Sequence, residues 1–203
     1  MRLLRMTQAS MFNGMIKRTM ARFASKAVML GLLTISPFVL ADPAATISEV
    51  KPIMMGFGKN LKAELKQAMM SGGPIQGIAI CNTQASEIAK QASQTGWAVA
   101  RTSLKWRNDK NEPDQWEKEQ LIEFNRKLKA GESPNKLWSV YEDEKEVRVM
   151  KAIMTEGVCL ACHGESLMPA VSKKLNELYP NDHATGFIAG DIRGAFSLKK
   201  LKI

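Results

Sequence analysis

The sequence predicts a single α+β domain, with helices early and a small antiparallel sheet late. Three observations predict it. Two stretches, 48–70 and 114–130, repeat apolar residues at three- and four-residue steps. Two later stretches, 137–141 and 146–154, are strand-like runs joined by a charged turn at Glu142–Lys145. No internal repeat and no low-complexity linker divides the chain.

Residues 1–41 are expected to be a secretion signal. Residues 1–26 hold Arg2, Arg5, Lys17, Arg18, Arg22 and Lys26 with no acidic residue, and an apolar stretch follows from Ala27 to Leu40. That stretch is short for a membrane span, and Ser36-Pro37 interrupts it. Val39-Leu40-Ala41 is a small-residue cleavage signature, so the mature chain should begin at Asp42 and have no stable membrane span. The basic region is long, which leaves initiation at Met1, Met15 or Met20 open.

In the mature domain, 42–203, the first helix should cover 48–70. Val50, Ile53, Met54, Phe57, Leu61, Leu65 and Met69 form its apolar face, Ser48 its cap and Gly72-Gly73-Pro74 its stop. A short apolar run, Ile78–Cys81, should lead into a second helix at 83–94, with Asn82 as cap and Gly96 past the end. Trp97–Leu104 reads as a strand and Asn108–Pro113 as a polar turn. Asp114 can cap the next helix, which carries Trp116, Leu121, Phe124 and Leu128 on one face and stops at Gly131. After the two strands comes a short helix near Pro169–Leu178 and a turn at Tyr179–Asp182. Gly186–Ile188 and Ile192–Leu198 are expected to close the chain as a hairpin.

The pI near 9.5 mostly reports the leader. All six charges of residues 1–41 are basic, which leaves 23 Lys plus Arg against 20 acidic residues in the mature chain. No basic cluster there interleaves with aromatics, so nucleic-acid binding has little support.

Cys159-Leu160-Ala161-Cys162-His163 carries the chemistry. A CxxCH run attaches a c-type haem through two thioethers, and the histidine ligates iron. Two intervening residues let both sulfurs reach the vinyl groups of one porphyrin edge. Three rivals stand against it. A thioredoxin-like CxxC needs a βαβ setting, which Val158 and its neighbours lack. A zinc site needs a second ligand pair, but His183 is the only other histidine. A disulfide between Cys159 and Cys162 is the plain structural alternative. With haem on those two, the odd Cys81 is left as a buried thiol, an intermolecular bridge or a metal ligand, and a homodimer is a possible assembly.

These residues, with others, resemble the single-haem cytochromes c of PAS-like fold long catalogued as a domain of unknown function. The shared blocks are Ala79-Ile80-Cys81-Asn82 with Ala85 and Ile88-Ala89, then Arg101–Lys105 with Arg107-Asn108. They continue through Asn111, Pro113-Asp114, Trp116-Glu117 and Cys159–Gly164, and close with Tyr179-Pro180, Asp182, Ala184–Gly186 and Gly190–Ala195. The resemblance implies a central antiparallel sheet flanked by helices around one covalent haem c. It also implies His163 on one side of the iron and Cys81 on the other. A thiol just before a helix start would agree, because the dipole favours the thiolate. His183 and the methionines Met54, Met55, Met69, Met70, Met150, Met154 and Met168 are the competing ligands, more simply read as solvated or core residues. Arg101, Arg107 and Arg193 are the candidate propionate contacts, since arginine pairs bidentately with carboxylates. Trp97, Trp106, Trp116 and Trp138 are candidates to line the pocket.

The expected function is single-electron transfer by an exported, periplasmic monohaem cytochrome with a separate redox partner protein. Axial ligands move haem potentials over roughly 0.8 V, and a thiolate favours the ferric state, so the potential should be low. A haem-based redox or gas (NO/CO) sensor is the alternative. The chain carries no kinase, cyclase or coiled-coil output segment, so sensing would need a separate partner. No enzymatic activity is expected, because no free histidine is placed to act over an open distal site.

Overall fold

A computed structural model of the chain describes residues 42–93 and 96–202. The expected leader, 1–41, lies outside the described residues. The first helix, α1, spans Pro43–Ala92 and is broken at Gly72 and Gly73. Gly73 has φ 64°, which glycine reaches without steric cost, and the following Pro74 disfavours a helical residue before it. The break makes two arms, 43–71 and 74–92, that fold back on each other. A Cβ on Gly77 would sit 3.0 Å from the Met69 sulfur and 3.1 Å from a Leu65 methyl, so glycine there permits the close crossing.

Two expectations change at this element. The helix begins earlier than Ser48, because Asp42 caps it by accepting from the Ala44 amide at 2.9 Å, with Pro43 in the first turn. The second arm begins at Pro74, so Ile78–Cys81 and Asn82 are helix interior. Asn82 is no cap, and Cys81 is not at a helix start. The apolar residues 78–81 serve a helix face: Ile75 and Ile78 pack against Val171, Leu175 and Tyr179.

Four strands among the described residues form one antiparallel sheet: β1 Ala98–Thr102, β2 Trp138–Glu142, β3 Glu146–Met154 and β4 Ile192–Leu201. The order is β1-β4-β3-β2, so the last strand lies between the first and the third. Alternation sorts the side chains by face. Val147, Val149 and Leu198 face the first arm of α1, joining Val50, Met54, Phe57 and Trp97. Met150, Ala152 and Ala195 point the other way, toward helix α2, Gln115–Lys129. Leu121 and Phe124 of α2 are each 1% exposed there, and such side chains contribute about 1.5–3 kcal/mol apiece on burial.

α2 starts on a complete capping box. Asp114 accepts from the Glu117 amide at 2.9 Å, and the Glu117 carboxylate accepts from the Asp114 amide at 3.1 Å. Arg148 of β3 donates to Asp114 at 2.5 Å and lies over the Trp116 ring at 4.5 Å, tying α2 to the sheet. The short helix expected near Pro169–Leu178 forms as α4, Pro169–Leu178, with the proline in its first turn. The closing hairpin does not form. Residues 186–188 make one isolated parallel bridge, Phe187 with Gly164, and β4 pairs with β1 and β3 instead. The apolar pattern of 186–188 marks burial of Phe187 beside the CxxCH segment.

Candidate functional site

The CxxCH segment folds as a tight turn at Gly157–Cys159 followed by one helical turn, α3 Leu160–His163. Cys159 and Cys162 are three apart, so one helical turn brings both sulfurs toward the same side. Gly164 closes the turn: its amide donates to the Leu160 carbonyl at 3.0 Å, and an added Cβ would sit 2.7 Å from that same oxygen. Cys81, Cys159 and Cys162 are free thiols and each is half-buried.

His163 is fixed by a hydrogen bond from its Nδ1 to the Ala184 carbonyl at 2.7 Å. A carbonyl only accepts, so the proton sits on Nδ1 and the Nε2 lone pair is left for a ligand bond. Burial, reinforced by the nearby Arg193 and Arg107, holds the imidazole well below its usual pKa, so the ring is neutral. A metal needs the histidine in this form.

The loop 182–187 supports the motif strand-like from one side. The Gly186 amide donates to the Gly164 carbonyl and the Phe187 amide to the His163 carbonyl, both at 3.0 Å. The Phe187 ring meets the imidazole edge-on, with centroids 6.3 Å apart. The His183 amide donates to the Trp106 carbonyl while its own ring is exposed against Trp106, at 4.9 Å between centroids.

Cys81 and the three arginines come together from separate elements. Burial pushes the Cys81 thiol up, against the pull of Arg101, Arg107 and Arg193. Any support for a thiolate therefore comes from these guanidinium groups and not from a helix end, which corrects the dipole argument. Cys162, Tyr179 and Cys81 also share this environment, and Tyr179 lies against the Asn82 amide.

The arginines are not equivalent. Arg107 is engaged by Asp182, with Nη2 to Oδ2 at 3.0 Å, and donates to the Cys162 carbonyl at 2.6 Å. Arg193 donates from Nη1 to Ser103 Oγ and to the Lys105 carbonyl, and stacks over Phe187 at 5.1 Å; burial and the other two arginines lower its pKa to about 10. The Arg101 side chain makes no hydrogen bond or ion pair to any described residue, although its backbone pairs with β4 opposite Phe196, and burial lowers its pKa as well. Arg101 and Arg193 thus have no ion pair among the described residues, in a site dominated by positive charge.

Of the pocket tryptophans, only Trp106 lies by the site. Trp97 bonds Glu49 in the α1 core, Trp116 stacks on Arg148 and Trp138 on Lys151. Met54 and Met150 are core, Met69 packs at the arm crossing, Met154 joins the α2 cluster, and Met55, Met70 and Met168 are exposed. Among the described residues, no group of three or more His, Cys, Asp and Glu is arranged to hold a metal ion. Tyr179, Asp182, Ala184 and Phe187 are site residues that spacing alone does not reveal; the first three fall in the shared blocks without an assigned role, and the density of turn formers over 179–190 is the remaining signal.

The family model of Tll0287-like proteins matches residues 8–200. Among solved structures, the crystal structure of the cyanobacterial heme-protein Tll0287 matches with a TM-score of 0.57 and 22% identity. The match covers 80% of this chain and 98% of that one, and at this identity it shows the fold. No curated protein matches the chain.

Proposed function

This chain belongs to the Tll0287-like family, and we propose from that premise that it is an exported cytochrome carrying one covalent haem c and transferring single electrons at low potential. On this reading the four-stranded sheet and its helices are a PAS-like haem domain, and the solved relative is a heme-protein, which supports the cofactor. The observation that carries the proposal is His163: neutral, locked by Ala184 through Nδ1, and presenting Nε2 one residue after Cys162.

The residues present fit a haem. A bare ion would find only His163 and the cysteines, whereas iron in a porphyrin needs two axial donors. Cys159 and Cys162 would hold the macrocycle, His163 one axial position and Cys81 the other. Arg101 and Arg193, which lack ion pairs to described residues, would take the two propionates. Arg107, expected as a third propionate contact, already has Asp182. A bound haem supplies one-electron chemistry; the chain fixes the ligands, limits water and sets the potential.

The reading is of a carrier and not an enzyme, since with Cys81 as the second ligand there would be no open site for an acid–base residue to serve. The periplasm is the proposed location, where haem c attachment takes place. Optical and EPR spectra of the purified protein, with a redox titration, test it. Low-spin ferric signals with thiolate character and a low midpoint potential are expected, and a high-spin ferric haem would count against it.

A further inference from the structure

We propose that Arg107, paired with Asp182, is a positioning residue for the axial histidine, a clasp that sets how strongly His163 donates to iron. The proposal rests on the haem reading above. Both side chains are almost buried, at 10% and 8% exposure. Arg107 Nε donates to Asp182 Oδ2 at 3.1 Å, and Nη2 donates to the carbonyls of Cys162 at 2.6 Å and Ala184 at 3.3 Å. Asp182 Oδ1 in turn accepts from the Ala184 amide at 2.7 Å. One ion pair therefore grips both polar groups of residue 184 and the peptide just before His163.

The Ala184 carbonyl is the junction. It accepts from His163 Nδ1 at 2.7 Å and from a guanidinium at the same time. A cationic donor draws electron density from that oxygen, which weakens its pull on the imidazole proton. With less pull, the ring keeps less imidazolate character and donates less strongly to the metal. Partners of this outer kind orient a ligand and tune its basicity. Arg107 would thus raise the reduction potential and hold the ring in place, while Cys81 acts in the opposite sense.

The test is Arg107→Lys, Asp182→Asn and, as a control on the far surface, Arg126→Lys, each in haem-loaded full-length protein. Haem content, midpoint potential and ferric EPR g values are read together. Lysine keeps the charge but cannot span three acceptors. Arg107→Lys should therefore lower the potential and move the g values, Asp182→Asn, which leaves the guanidinium uncompensated, should raise it, and Arg126→Lys should do neither. Wild-type potential and g values in loaded Arg107→Lys protein overturn the proposal. If that variant does not load or fold, Asp182→Asn decides: a rise supports the clasp, and a fall or no shift overturns it. Failure of both to load haem, with wild-type circular dichroism and melting, also supports it. A parent protein without haem would sink the haem reading and this inference together, and is visible before any variant is compared.

Discussion

His163 and Ala184 are 21 residues apart in sequence, yet the imidazole Nδ1 and the Ala184 carbonyl oxygen are 2.7 Å apart. This bond chooses the histidine tautomer and aims the other nitrogen away from the loop. It depends on the loop 182–187 being laid along the CxxCH turn by the Gly186 and Phe187 amides.

The turn itself depends on Gly164. Gly164→Ala would drive a methyl to 2.7 Å from the Leu160 carbonyl, so the backbone after His163 must shift. Covalent haem yield should fall severalfold, with the domain still folded by circular dichroism. A normal yield with an unaltered spectrum would show that the turn relaxes freely.

Asp114→Ala removes both the α2 cap and the nearer of the two carboxylate partners of the buried Arg148, the other being Glu117. Loss of such a cap costs about 0.5–2 kcal/mol, which chemical denaturation can measure. Burial works to raise the Asp114 pKa, but the Glu117 amide and Arg148 outweigh it and hold the carboxyl below its usual value. Its stabilisation is therefore complete above the ordinary carboxylate range and is lost as pH falls through the folded-state pKa. The variant should lose less stability than wild type between about pH 5 and pH 3; equal losses would mean the pair contributes nothing.

How legible was this molecule before folding? Asp114 as cap and the charged turn at Glu142–Lys145 announced α2 and the β2–β3 hairpin, because each signal acts within a few residues, whereas the capping-box role of Glu117 emerged only from the structure. The helical hairpin of α1 was half legible: Gly72-Gly73-Pro74 marked the break, but Ile78–Cys81 is short and apolar, which suits a buried helix face as well as an extended run. Phe187 misled in the same way. Among the site residues, His163 was evident from spacing alone, while the roles of Arg107, Asp182 and Ala184 exist only once distant segments meet. Arginine type and family block could not separate a propionate contact from a clasp.

Export should cleave the chain just before the residue that caps α1. Intact mass of protein from the periplasm is expected to match Asp42–Ile203 plus one haem, since Asp42 as N-cap needs no preceding residue to make its bond. A mass that retains residues 27–40 would point to an anchored protein.

Cys81→Ser should raise the midpoint potential and change the ferric g values, because a strong donor to ferric iron is removed. The ferrous wild-type protein should bind carbon monoxide if the thiolate bond weakens on reduction, the behaviour a sensor would also exploit. His183→Ala should change neither potential nor g values, as its ring is exposed against Trp106. The reverse pattern would make the iron bis-histidine and remove Cys81 from the site.

The most direct measurement is extraction of the purified protein with acid–acetone, followed by intact mass. The haem should stay with the polypeptide, adding the mass of one haem, and replacing Cys159 and Cys162 together with serine should abolish that addition. Unmodified haem passing into the organic phase, or a chain mass with nothing added, would contradict covalent attachment at Cys159 and Cys162.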